Sequence, residues 1–87
     1  MKIKEGFILR QVADSFLVVA VGDAVKDFKG MINLNETGAF FWRLLEKGAT
    51  KEEMVKEITK EYEVDEETAG KDVDKFVEKL KEANLLK

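Results

Sequence analysis

The sequence predicts an α+β fold, winged-helix-like, in which a three-stranded antiparallel sheet is followed by three helices. Three observations lead there. Residues 7–21, FILRQVADSFLVVAV, are rich in β-branched and aromatic side chains and are broken once, at Ala13-Asp14-Ser15, by turn formers. From Asn35 onward the apolar spacing turns helical. Finally, Gly48 and the capping box Thr50 to Glu53 stand two residues apart, closing one helix and opening the next. At 87 residues the chain is expected to be one domain, 1–87, because two cores would each be too small to offset their ordering entropy. The hairpin and third strand fall in 7–34 and the helical part in 35–86.

The elements follow in order. The first strand runs from Phe7 to the turn. The second, Phe16 to Val21, is apolar without alternation, which suits either a strand covered on both faces or the central strand of a small sheet. Gly22-Asp23 stops it. A loop containing Asp27 and ending at Lys29-Gly30 leads to a short third strand, Met31-Ile32-Asn33-Leu34, with Ile32 and Leu34 on one face and Met31 and Asn33 on the other.

Asn35 caps the first helix and Glu36 lies near its positive end. Six of the seven residues from Ala39 to Leu45 are apolar. Gly38, Phe41, Trp42 and Leu45 make one stripe, widened by Phe40 and Leu44, so this helix is expected to be the central post of the core. In the second helix Met54, Val55, Ile58 and Tyr62 keep the spacing. Asp65 opens the third, whose stripe is Ala69, Val73, Phe76, Val77, Leu80 and Ala83. Asn84 ends it, leaving Leu85-Leu86 to fold back as an apolar clasp. A pair such as Glu67 with Lys71 is expected on the solvated face.

Composition excludes several functions. There is no Cys and no His, hence no thiolate nucleophile, no imidazole base and no Cys/His zinc site. No loop of oxygen ligands for calcium is recognisable. We therefore expect no enzyme, no metal and no cofactor. No apolar run approaches the roughly 20 residues of a membrane span, and the start, MKIKEGF, lacks a secretory apolar region, so a cytoplasmic location is expected. The tight step between helices raises DNA binding, but charge opposes it. Residues 50–64 hold three basic and five acidic groups, and residues 65–87 five and seven. Such a surface repels phosphates.

The order of these pieces resembles the PqqD family. The resemblance is carried by Leu34-Asn35-Glu36-Thr37-Gly38 leading to Trp42 and Leu44-Leu45, then Gly48-Ala49-Thr50, then Asp72-Val73 with Phe76 and Leu80. It covers nearly the whole chain, roughly Glu5 to Leu86. It implies a non-catalytic peptide chaperone that binds the leader of a ribosomally made precursor peptide and presents it to a modifying enzyme, such as a radical SAM (S-adenosylmethionine) enzyme. It further implies that the leader docks as an added strand on Lys29, Gly30, Met31, Ile32 and Asn33 and lies along the third helix. An edge strand offers unpaired backbone groups for this. Val73, Phe76, Val77 and Leu80 would then read apolar leader residues, with Lys71, Lys75 or Lys79 at the rim for acidic ones. The helical four suit a plain core stripe better than a ligand groove, since a stripe of this kind is more often core. Two alternatives stand beside this reading: a general protein-interaction domain docking on an enzyme, and, less favoured by charge, a winged-helix DNA-binding protein.

Overall fold

The computed structural model describes residues 1–26 and 30–87; the expected site residue Lys29, like Asp27, lies outside the described residues. The described elements are β1 (Phe7–Val12), β2 (Ser15–Ala20), a 3-10 helix (Gly22–Lys26), β3 (Met31–Leu34), α1 (Glu36–Lys47), α2 (Lys51–Glu61) and α3 (Glu66–Glu82). The three strands form an antiparallel sheet in the order β1-β2-β3. The uniformly apolar β2 is therefore the central strand, and β1 and β3 are its edges.

The hairpin is tighter than the turn residues suggest. Val12 pairs with Ser15, so Ser15 belongs to the strand and the loop is Ala13-Asp14 alone, with Ala13 in the left-handed region at φ 55°. Two-residue loops favour such positive φ because it matches the strand twist. The 3-10 helix was not foreseen; its sequence, GDAVK, is too short to show a period.

Each helix begins as its sequence predicts. Asn35 Oδ1 accepts from the Gly38 amide at 2.7 Å. Thr50 Oγ1 accepts from the Glu53 amide at 3.1 Å while the Glu53 carboxylate accepts from the Thr50 amide at 2.9 Å, a reciprocal capping box. Asp65 Oδ1 accepts from the Thr68 amide at 2.7 Å. The backbone hydrogen bonds hold both of these carboxylates below their ordinary pKa values. Glu67 and Lys71 do meet, at 3.7 Å, with both side chains exposed.

The core lies between one face of the sheet and the helices. Trp42, Phe41 and Leu45 of α1 are buried against Met54, Val73, Leu80 and Val18. α1 is thus the central post. The apolar clasp is present: Asn84 takes φ 60° after the helix, and Leu85 is fully buried. Its partner was not expected. Ile3, also buried, bridges to Leu86, and its amide donates to the Leu45 carbonyl at 3.1 Å, tying the start of the chain to its end.

Candidate functional site

The direction of each backbone group on β3 follows from the register. Val21 donates its N–H to the Gly6 carbonyl at 2.8 Å. Odd-numbered residues along β2 therefore face β1, and even-numbered ones face β3. Phe16 pairs with Leu34 and Val18 with Ile32, so Ile32 and Leu34 turn their N–H and C=O groups inward to β2. Met31 and Asn33 turn theirs to the open edge. An independent contact agrees: Lys79 Nζ of α3 donates to the Asn33 carbonyl at 3.4 Å.

Between this edge and α3 lies an open cleft of about 370 Å³ lined by Asn33, Leu34, Asn35, Thr37, Gly38, Phe41, Asp72, Lys75, Phe76 and Lys79. Its floor is apolar. The Phe41 and Phe76 rings sit 5.6 Å apart, and Leu34 closes the sheet side. Packing at Gly38 is tight, because a Cβ there would lie 3.3 Å from Leu34 Cβ and 3.2 Å from Asn35 Oδ1. The first turn of α1 therefore rests directly on the end of β3. The rim carries two ammonium groups, Lys75 and Lys79, and one carboxylate, Asp72. Strand donors and acceptors that no described strand pairs, an apolar floor and a basic rim together suit an extended chain rather than a reacting small molecule.

A larger groove runs between α2 and α3, lined by Val55, Gly70 and a series of charged side chains. Those charges partly satisfy one another, as in Lys51–Asp74 at 3.0 Å. It borders no sheet edge. Among the described residues no group of three or more His, Cys, Asp or Glu side chains could hold a metal ion, and no helix is long and apolar enough to cross a membrane.

The residues singled out from sequence divide here. Lys75 and Phe76 meet in the cleft, where Asn33 contributes its edge-facing carbonyl. Met31 and Ile32 lie on the adjoining strand, with Gly30 just before it. Val73 and Leu80 are fully buried and Val77 nearly so, and none of the three lines the cleft. These three belong to the core cluster, on the stripe that α3 turns toward α1 and α2. Lys71 lies in the α2–α3 groove instead. Lys79, one of the expected rim cations, lines the cleft, and so does Asp72, to which the sequence reading gives no place at the rim. A signal was available: 72, 75, 76 and 79 are spaced i, i+3, i+4, i+7, a second helical stripe flanking the buried one.

The family defined by Coenzyme PQQ synthesis protein D (PqqD) matches residues 16–86. The chain belongs to the PqqD family. Proteins of this family are non-catalytic peptide-binding domains. No curated protein sequence matches the chain. Two solved structures are similar to this PqqD-family chain. TbiB1 in complex with the TbiA(beta) leader peptide shares 29% identity, with 100% of this chain and 95% of that chain covered and a TM-score of 0.79. A lasso peptide synthetase B1 complexed with its leader peptide shares 23% identity over 97% of this chain and 93% of that one, with a TM-score of 0.76, a likeness of fold.

Proposed function

We propose that this PqqD-family protein is a recognition element that binds the leader of a ribosomally made precursor peptide and holds it for a modifying enzyme, of the radical SAM or another peptide-modifying class. The leader adds as a strand to the open edge of β3. Its backbone pairs with the N–H and C=O groups of Met31 and Asn33, and alternate side chains enter the cleft over Phe41 and Phe76. Gly30 and Ile32 complete the docking strand. Lys75 and Lys79 attract acidic leader residues at the rim.

The observation that carries this reading is the edge-facing backbone of Met31 and Asn33, which no described strand pairs, beside an apolar cleft, on a fold shared with a protein solved in complex with a leader peptide. Backbone pairing supplies affinity for any extended chain, and the cleft supplies selectivity. The test is calorimetric titration of the protein with the N-terminal halves of short peptides encoded beside its gene. One of them is expected to bind with at least micromolar affinity. If none binds, and the protein instead captures an enzyme with no peptide present, it is a general docking domain.

A further inference from the structure

The outer face of the sheet carries an apolar row that ends at the docking edge. Ile8 pairs with Val19 and Val19 with Met31, so the three side chains lie side by side on the face opposite the core. Ile8 is 39% exposed and Met31 63% exposed. Edge strands are usually blunted by a charge, most often Lys. On β3 the outward side chains are Met31 and Asn33, and neither is charged. The neighbouring row on the same face, Arg10, Leu17 and Asn33, is polar at both ends.

Laterally adjacent residues in a sheet share a face whichever way the strands run. A strand added to β3 must therefore place one side chain beside Met31 and another, two residues away, beside Asn33, both outside the cleft. The residue between them points inward, toward Phe76 and Lys79. We propose, building on the peptide-strand reading above, that Met31 is a specificity-determining residue: it selects an apolar side chain on the outward face of the bound peptide, extending the Ile8–Val19–Met31 row by one member. The peptide is read on both faces. Its pattern is an apolar outward residue, a cleft residue, then an outward residue beside Asn33 that is free to be polar. Methionine suits this position because its flexible thioether packs against differently shaped apolar partners.

The test uses a displayed library of random 16-residue peptides selected on the wild-type protein. One selected peptide is then examined by alanine scanning and by amide exchange of the protein. The expected peptide protects the Met31 and Asn33 amides. Met31→Ala weakens its binding by about five- to tenfold, the scale of a lost apolar cross-strand pair with its burial. Alanine at one outward apolar peptide position has the same effect, and the double change is no worse than either single one. Val12→Ala, on the same face two rows away, leaves affinity unchanged. Protection of those amides with no loss on Met31→Ala overturns the outward reading and leaves the strand reading standing. If the library yields no peptide that protects them, both are overturned.

Discussion

Lys79 Nζ lies 3.4 Å from the carbonyl oxygen of Asn33, 46 positions earlier in the chain. A carbonyl that reaches across the cleft to α3 faces away from β2. The contact therefore marks which backbone groups of β3 stand at the edge, in agreement with the pairing of Phe16 with Leu34 and Val18 with Ile32.

A proline scan along β3 should show the alternation. Met31→Pro and Asn33→Pro remove N–H groups that face the edge, so both variants should fold and lose peptide affinity. Ile32→Pro and Leu34→Pro remove inward donors and should lower the thermal midpoint sharply. Circular dichroism melts beside peptide titration separate the two classes. Unchanged peptide binding by the first pair would place the docking site elsewhere.

At Trp42 the core carries both its largest fully buried side chain and an indole Nε1 that finds no hydrogen-bond partner among the described residues. Trp42→Ala should cost about 3 to 5 kcal/mol through the cavity it leaves. Trp42→Phe should cost only about 1 to 2 kcal/mol, because losing an unpartnered buried donor offsets part of the lost packing. Denaturant unfolding measures both. A Phe variant as unstable as the Ala variant would show that the N–H is satisfied.

Stability should fall in acid through two helix caps. The carboxyls of Glu53 and Asp65 are held below their ordinary values by backbone hydrogen bonds. A lowered folded-state pKa stabilises above the unfolded value, and that contribution disappears as the pH drops from the ordinary carboxylate range through the folded value. Glu53→Gln combined with Asp65→Asn should therefore flatten the decline in thermal midpoint below about pH 4. A decline as steep as in the wild type would assign acid sensitivity to other carboxyls.

Most of the fold was legible because local signals agreed with the global one. The caps at Asn35, Thr50 and Asp65, and the stripe through Phe41, Trp42 and Leu45, each name an element and its buried side. What was not legible depended on distant partners. Ile3 is one apolar residue in MKIKEG, and nothing nearby announces that Leu45 and Leu86 will hold it. The edge-facing pair on β3 could not be read from β3 alone, because the parity is set by β2. On α3, the spacing of Val73 and Leu80 favours a core but also fits a groove. Only the placement of α1 and α2 decides between them, leaving Phe76 at the border of core and cleft.

Duplex DNA should not bind at physiological salt. The helical half is net acidic, and the cleft cations Lys75 and Lys79 are accompanied by Asp72. Fluorescence anisotropy with a labelled duplex measures this directly. Submicromolar binding that weakens steeply with added salt would restore the nucleic-acid reading.

The most direct test of strand addition is residue-resolved amide exchange on the labelled protein, free and saturated with a bound leader peptide. The Met31 and Asn33 amides should become protected together, while Leu9 and Gln11 on β1, the opposite edge of the sheet, exchange as before. Protection confined to β1, or to the α2–α3 groove with Met31 and Asn33 unchanged, would contradict the account.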